Sequence, residues 1–394
     1  MKRTLTRKGQ EDMGVLGVQL LQKLAKNEDI QQIVQDKRLD LKEANASGIS
    51  LAHLSMMLLK KPEHLDALLK ISPDLLSFFD SLSNLPIHYV ATNGHPDILT
   101  KMVKLKPALL ESKNKMGHTP LIIAALNRNQ STLKALLSLG ANPNAQLPNG
   151  MTALTIALQY GAGDLAKDLL SNPLTDVNLS MPSGETYLHL AINMGLIDIC
   201  QLIIPKMTDF KKATKSRGYT VLHQAADIGL DRVVELIMKT AKIEVDHKSG
   251  SGSTALHLAA ANNHLKTVEI LVTYKANIQL VNSLGDTPLM RALECRSEAV
   301  AMFLAERQPL VKTSKGTYCK IAAEHNMWAV VDLLIERGDD ANHSIDGSPS
   351  CVDYIVRDGS LSRINKLHEK KKIDLTNKTL VKRLASLSAM QSFG

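Results

Sequence analysis

The chain is poor in aromatic residues, which make up 3% of its 394 positions, with one tryptophan at Trp328. β-Strands favour aromatic and β-branched side chains, so a core built mainly from Leu, Ile, Val, Ala and Met favours stacked helices over sheets. Hydrophobic residues reach 44% of the chain, which is enough for a large core. We therefore expect an all-α protein.

Long apolar runs and paired cysteines are also missing. No stretch approaches the roughly 18 uncharged apolar residues that a membrane span needs, and the first twenty positions lack the apolar run of a secretory signal. The four cysteines form neither a CxxC pair nor a dense framework, as expected of thiols in a reducing compartment. These absences predict a soluble, cytoplasmic protein. The cysteines are Cys200, Cys295, Cys319 and Cys351.

Signatures of catalysis and of nucleotide binding are lacking as well. Gly161-Ala-Gly163 has no third glycine and no preceding strand, so it does not match a dinucleotide fingerprint, and no P-loop is present. A thiol nucleophile needs a neighbouring His and an orienting Asn or Asp, and no cysteine carries a recognisable protease pattern. We expect no enzymatic activity and no cofactor.

What the chain does have is one phrase that keeps returning. Its best copies are Gly218-Tyr-Thr220-Val-Leu222-His223-Gln-Ala225 and Gly252-Ser-Thr254-Ala-Leu256-His257-Leu-Ala259. The threonine recurs at separations of 30 to 34 residues, a period typical of a repeat architecture. Weaker copies extend the series in both directions to about ten units. The threonines are Thr119, Thr152, Thr186, Thr220, Thr254, Thr287 and Thr317.

Each unit carries the signals of two helices. Thr254 is placed to cap a first helix, and Pro120 and Pro288 directly follow their threonines at the first helical position, where the missing N–H costs nothing. Gly140 and Gly338 stand where a second helix ends and a positive φ is needed. A unit of this size cannot bury its own apolar face, so stability must come from stacking on its neighbours.

In period and phrase the sequence resembles the ankyrin family, whose unit of about 33 residues contains T-P-L-H-x-A, a β-turn and two helices. The resemblance covers roughly residues 44–358 and implies an all-α ankyrin-repeat solenoid. We expect residues 1–43 to form an N-terminal helical cap and residues 359–394 a C-terminal helical cap with a basic tail. Ends of about 40 residues are too short for an independent catalytic domain.

Histidine recurs at one slot of the phrase, as His53, His88, His189, His223 and His257. Stacked helices lie about 8–10 Å apart, whereas two zinc ligands must each lie about 2 Å from the ion, so equivalent histidines cannot share a metal. The resemblance implies a structural role instead, with the imidazole hydrogen-bonded to the threonine hydroxyl or to the backbone of the turn. Cys319 occupies the slot of Leu256, which predicts a core position.

The resemblance also implies where a partner binds, because ankyrin proteins use their turn tips and the exposed side of the first helix. Tyr160, Met194, Tyr219 and Trp328 are the apolar anchors among these positions, and positive charge dominates from the Lys215 tip to the Lys315 tip. The positions carried over to this chain are Lys113, Lys115, Arg128, Tyr160, Met194, Lys215, Arg217, Tyr219, Lys248, Asn262, Asn263, Lys312, Lys315 and Trp328.

The favoured hypothesis is that an acidic segment of a partner protein docks on the concave surface, steered by the basic tips. The alternative is an anionic ligand, nucleic acid or membrane lipid, bound through a C-terminal basic run without the interleaved aromatics that base stacking uses. A third interpretation holds that the basic tips only keep the chain soluble. The C-terminal run is Lys366, Lys370, Lys371, Lys372, Lys378, Lys382 and Arg383.

The last ten residues, 385–394, are small polar and apolar residues. With the degenerate Lys- and Asn-rich repeats, this tail is similar to that of the ankyrin effectors that intracellular bacteria inject through a C-terminal signal. If the similarity holds, the partner is a host protein in the host cytoplasm. An ordinary cytosolic scaffold is the other interpretation.

Overall fold

The protein is described by a computed structural model that covers residues 14–44, 49–241, 243–310, 315–344, 348–358 and 361–369. Helices and turns make up the described residues, and the only β-type pairings among them are three isolated bridges, Ala44 with Ser50, Ser180 with Thr186 and Ala213 with Thr220. The predicted all-α repeat fold is therefore confirmed. The chain divides into an N-terminal unit, which ends at Thr208, and a C-terminal unit, which begins at Asp209.

Among its described residues the N-terminal unit contains five helix pairs preceded by two further helices. The leading helix α1 packs against the first helix of the first pair, and α2 packs against its second helix. The helices are α1 Val15–Lys26, α2 Gln31–Val34, α3 Leu51–Leu58, α4 Pro62–Ile71, α5 Pro86–Asn93, α6 Pro96–Leu105, α7 Pro120–Leu126, α8 Gln130–Ser138, α9 Ala153–Gln159, α10 Gly163–Ser171, α11 Tyr187–Asn193 and α12 Ile197–Ile203, with 3-10 turns at Pro73–Ser77, Pro107–Leu109 and Ile204–Lys206.

The C-terminal unit also contains five helix pairs among its described residues. The first helix of each pair packs against the first helix of the next pair. In the last pair, the first helix α21 also contacts the second helix α22. The helices are α13 Val221–Ile228, α14 Asp231–Thr240, α15 Ala255–Ala261, α16 Leu265–Thr273, α17 Pro288–Glu294, α18 Glu298–Ala305, α19 Tyr318–Glu324, α20 Trp328–Glu336, α21 Cys351–Asp358 and α22 Leu361–Glu369.

Capping determines where these helices begin and end. Thr119 accepts a hydrogen bond at 3.3 Å from the backbone N–H of Ile122, one of the first-turn donors that have no partner within the helix. Pro120 and Pro288 occupy the first turn, as expected from the sequence. Beyond the second helices, Gly140 and Gly338 have φ of 88° and 102°, so both predicted helix-ending glycines are confirmed.

Alanine at the fifth position after each cap threonine lets successive first helices approach closely. All seven of these alanines are fully buried. A larger side chain at this slot would collide with the neighbouring helix, since protein interiors leave few voids. The small residue of the repeating phrase is thus a packing requirement. The seven are Ala124, Ala157, Ala191, Ala225, Ala259, Ala292 and Ala322.

The repeated histidine connects one repeat to the next. In His257, Nδ1 lies 2.9 Å from the Thr254 hydroxyl and 3.2 Å from the Thr254 backbone nitrogen, and Nε2 lies 3.0 Å from the backbone carbonyl oxygen of Asp286 in the following turn. The backbone N–H can only donate, so Nδ1 accepts and Nε2–H donates to the carbonyl. The structural role predicted for these histidines is confirmed.

The same arrangement recurs in both units. His223 reaches the carbonyl oxygen of Ser253 at 3.1 Å, His88 that of Ser112 at 3.2 Å, and His53 that of Asn84 at 3.1 Å. Each imidazole is therefore committed to the neutral form with its proton on Nε2. Protonation of Nδ1 would direct a second N–H at a backbone N–H and break the connection.

Burial lowers the pKa of His53, His88 and His257 below the ordinary value of 6.5. Above that value these histidines are neutral in both the folded and the unfolded chain. Below it the unfolded chain binds more protons, so the stability they contribute is lost as the pH falls from 6.5 toward their folded pKa values. We expect a smaller free energy of unfolding by urea at about pH 5.5 than at about pH 7.5.

The variant His257→Thr tests the assignment, because threonine stands naturally at this slot in another repeat, where Thr155 Oγ1 accepts from the Thr152 N–H at 2.6 Å. It should reduce the difference in unfolding free energy between the two pH values. Replacement of the exposed His368 by threonine is the control. An equal pH dependence in both variants would contradict the assignment.

Candidate partner-binding surface

The turns between repeats are tied to one another at their tips. In the N-terminal unit the Lys115 N–H donates to the Leu82 carbonyl at 2.9 Å, and in the C-terminal unit the Gly250 N–H donates to the Arg217 carbonyl at 2.9 Å. Within a turn, the Asn114 side-chain oxygen accepts from the N–H groups of Met116 and His118. The tips therefore present side chains from a fixed backbone, which lowers the entropy lost on binding.

Two tips approach so closely that only glycine fits. Gly218 has φ +65°, and a Cβ built on it would lie 2.7 Å from the backbone nitrogen of Gly250. Gly250 in turn would place a Cβ 3.0 Å from the Arg217 carbonyl oxygen. The glycine of the repeating phrase therefore serves the turn conformation and, at this place, the contact between neighbouring tips.

In the N-terminal unit three of the predicted site residues lie just beyond successive first helices. Arg128 is exposed, Tyr160 is 52% exposed and Met194 is 45% exposed. The Arg128 guanidinium lies 5.2 Å from the centre of the Tyr160 ring, within cation–π range. We call these three residues the helix-end stripe. Lys113 and Lys115 are exposed on the turn before α7, and Lys115 Nζ donates to the Ser81 carbonyl at 2.6 Å.

In the C-terminal unit Lys215, Arg217 and Lys248 are exposed on the linked turns. We call these three residues the basic tips. Tyr219 lies between them and the repeat, with its ring stacked on His223 at 5.7 Å and the Arg217 guanidinium 5.6 Å from its centre. The ion pairs formed by the described residues of this unit leave out all three cations.

The remaining predicted positions of this unit differ in how far they are engaged. Asn262 and Asn263 are exposed after α15, and Asn262 Nδ2 donates to the Asp227 carboxylate at 2.8 Å. Lys315 forms ion pairs with Glu294 and, at 2.6 Å, with Asp286. The Asp286 side chain is fully buried, so the charge of Lys315 is largely committed to holding the turn. Lys312 lies outside the described residues.

Trp328 lies at the start of a second helix, α20, away from the first-helix ends. It is partly buried, and the Arg363 guanidinium lies 5.0 Å from the centre of its ring. Arg363 also contacts the Asp332 carboxylate at 3.0 Å and the Asp358 carboxylate at 3.5 Å. Trp328 thus contacts a residue of helix α22, and its role as an anchor for a partner stays a prediction.

Several kinds of chemistry can be tested directly. Among the described residues no group of three His, Cys, Asp or Glu side chains is placed to hold a metal ion, and no helix is long and apolar enough to cross a membrane. Cys200, Cys319 and Cys351 are buried, whereas Cys295 is exposed. Cys319 is confirmed as a core residue, and burial raises the pKa of the Cys200 thiol to about 12, so it stays protonated.

Comparison with known proteins agrees with this geometry. The family model for ankyrin repeats, in three copies, matches residues 52–147, 87–181, 136–214, 154–249 and 222–315. The chain belongs to the ankyrin-repeat family. A crystal structure of the ankyrin-repeat domain of Bcl-3, described as a member of the IκB protein family, is 28% identical and covers 56% of this chain and 98% of that chain, with a TM-score of 0.49. Among curated proteins none matches.

Ankyrin repeats are generally protein–protein interaction modules, and the match contains no enzymatic domain. The ankyrin turns also present residues that the sequence patterns did not single out. Leu82 is 52% exposed beside Met116, which is 58% exposed. Leu82 belongs to the degenerate copy of the phrase that opens at Leu85-Pro86 and lacks the threonine. The period places this copy, so its turn could have been examined for tip residues in the same way as the others.

The glycines of two turns form a matched pair. Gly285 has φ +79° with open space around its Cβ position, whereas Gly218 has φ +65° and the close neighbour described above. Gly285→Ala should therefore lose about 1 kcal/mol of unfolding free energy for the left-handed backbone alone. Gly218→Ala should lose at least about 1 kcal/mol more, because a neighbouring backbone must move. Equal losses in urea unfolding would show that the tips do not constrain each other.

Arg128 holds a left-handed conformation, with φ +55°. Alanine keeps that backbone penalty whereas glycine does not, so Arg128→Gly should unfold with a free energy about 0.5–1 kcal/mol higher than Arg128→Ala, the reverse of the order inside a helix. Urea unfolding of both variants measures the difference. The opposite order would mean that this backbone carries no strain. If the expected order is found, Arg128→Gly is preferable to Arg128→Ala for removing the guanidinium from Tyr160, because glycine adds no backbone strain.

Proposed function

We propose that this chain binds a partner protein that presents an acidic segment to the basic tips, Lys215, Arg217 and Lys248, beside Tyr219. The observation that carries the proposal is that these three cations are exposed on hydrogen-bonded turns and take no part in the ion pairs of the described C-terminal unit. Lys248 Nζ donates to the Val281 carbonyl at 3.1 Å, which leaves its charge unneutralised. A carboxylate of a partner would therefore meet three cations that are held on hydrogen-bonded turns and lack an acidic partner among the described residues. Such a set raises the association rate and selects for opposite charge.

Lys315 supports the proposal by contrast. Its ammonium group already contacts Asp286 and Glu294, which shows what a lysine with a structural role looks like in this unit. Lys215 and Lys248 have no comparable acidic neighbour among the ion pairs of the described residues. We infer that these cations serve in recognition, with Tyr219 supplying apolar contact next to the charges.

The alternative ligand, nucleic acid or anionic lipid, depends on the C-terminal basic run. Lys370, Lys371, Lys372, Lys378, Lys382 and Arg383 lie outside the described residues, so the alternative stays a sequence-based hypothesis. A steep and uniform loss of binding with rising salt would favour it. The secreted-effector origin depends on residues 385–394, also outside the described residues, and the family match and the solved structure do not support it.

Charge reversal at the basic tips tests the proposal. The triple variant Lys215→Glu, Arg217→Glu, Lys248→Glu should lose about tenfold or more in affinity for a partner isolated on the full chain, mainly through slower association at low salt. The partner is first captured from cell lysate and identified by mass spectrometry. Association and dissociation rates are then measured for the purified pair by surface plasmon resonance.

The matched control makes the same change of net charge elsewhere in the same unit. Arg232, Lys266 and Lys275 are exposed on or just after second helices, and their replacement by glutamate should leave the association rate within about twofold. Equal losses of affinity in the two triple variants would show that the effect depends on net charge alone. Unchanged binding by the tip variant would exclude the basic tips as the partner surface.

A further inference from the structure

The N-terminal unit contains an open cleft of about 380 Å³, a volume within the range of small ligand-binding pockets. It lies against the first helices α5 and α7 and the turns that precede them. Apolar side chains dominate its lining, among them Met57, Leu82, Tyr89, Met116, Ile123 and Leu126. The cleft is separate from the basic tips, which belong to the C-terminal unit.

Three polar side chains of the lining, Asp80, Asn84 and Tyr89, are already bonded to the protein. The Asp80 carboxylate accepts from the N–H groups of Leu82 and Asn84 and, at 2.6 Å, from the Tyr89 hydroxyl. Asn84 Oδ1 accepts from Asn114 Nδ2 at 2.8 Å. An occupant therefore gains little by bringing a charge into the cleft, and apolar surface is what the interior accommodates.

The entrance indicates that the occupant is larger than the cleft. Leu82 and Met116 form its lips and remain 52% and 58% exposed. They lie on turns joined by the hydrogen bond from the Lys115 N–H to the Leu82 carbonyl. A small apolar molecule inside the cleft would leave both lips in water, whereas a polypeptide crossing the entrance would cover them.

The rim of the cleft carries positive charge. Lys115 Nζ is held at 2.6 Å on the carbonyl oxygen of Ser81, a lining residue. The exposed Arg128 directly follows the lining residue Asn127, but its guanidinium lies 5.2 Å from the centre of the Tyr160 ring, which is not part of the lining, so Lys115 is the rim cation. An apolar interior with a cationic rim is complementary to a peptide segment in which a large apolar side chain stands next to a carboxylate.

We propose that this cleft takes one large apolar side chain, Leu, Met or Phe, from a partner segment whose neighbouring Asp or Glu contacts Lys115. The inference rests on the proposed function, in that it assumes a protein partner. It adds a second recognition element of different chemistry: an apolar anchor in the N-terminal unit beside the charge recognition of the C-terminal unit.

The experiment uses the full chain and a random dodecapeptide library displayed on phage. Enriched peptides should share a large apolar residue within a few positions of an acidic one. Synthetic copies should bind Leu82→Asp, Met116→Asp at least about tenfold more weakly than the unsubstituted chain. Met116→Leu, which keeps the apolar lip, should bind within about twofold.

Leu284→Asp is the matched control. Leu284 is 70% exposed, and its N–H donates to the Asn282 side chain at 2.9 Å just as the Met116 N–H donates to Asn114. Peptides that bind the cleft should ignore Leu284→Asp and the charge reversal of the basic tips. All the substitutions are at exposed positions, so circular dichroism on each variant should show an unchanged fold.

Other outcomes separate the two proposals. Peptides weakened only by Lys215→Glu, Arg217→Glu, Lys248→Glu would overturn the cleft and leave the proposed function standing. The cleft proposal would also be overturned if the peptides bound the cleft variant and the basic-tip variant equally well, if they lacked a large apolar residue, or if no peptide were enriched. Selection of basic peptides would contradict the assigned rim. If Leu82→Asp, Met116→Asp loses the selected peptides but still captures the partner through the basic tips, the two sites are independent and the inference is supported.

Discussion

The interaction on which the rest of the structure depends is the hydrogen bond from a buried imidazole to the backbone of the next turn. His53, His88, His223 and His257 each join the start of their own first helix to a carbonyl oxygen of the following turn, at 3.0 to 3.2 Å. A turn projects into solvent and buries little apolar surface by itself. The imidazole holds it against the helix pair before it, so in these four repeats the position of the following tip is set by the repeat that precedes it.

Sequence reasoning reached the fold because its signals are local and repeated. The threonine caps, the prolines after Thr119 and Thr287 and the alanine five positions after each cap constrain the chain within one unit. Each constraint is satisfied in the structure by a neighbour fewer than about forty residues away, since nearest-neighbour stacking is the principle of a repeat array. Even degenerate copies, such as the one opening at Leu85, could be placed by the period alone.

Roles on the surface could not be inferred in the same way. Lys315 has the sequence context of a solvent-exposed turn lysine, but its charge is engaged by Asp286 and Glu294. Trp328 has Arg363 beside its ring, a contact that the sequence pattern does not predict. In both cases the deciding neighbour is a side chain from another repeat whose identity is not part of the repeating phrase. The period gives the position of a residue but not the chemistry that surrounds it.

The two units offer different chemistry on equivalent parts of the repeat. In the N-terminal unit the exposed apolar residues Leu82 and Met116 lie on turns and line an apolar cleft. Tyr160, also exposed, lies beyond the end of a later first helix. In the C-terminal unit the linked turns carry the basic tips, Lys215, Arg217 and Lys248. Exposed charges mainly increase the rate of encounter, whereas buried apolar anchors slow dissociation. The basic tips and the cleft therefore differ in which rate constant of binding each affects, a difference that an equilibrium affinity alone does not report.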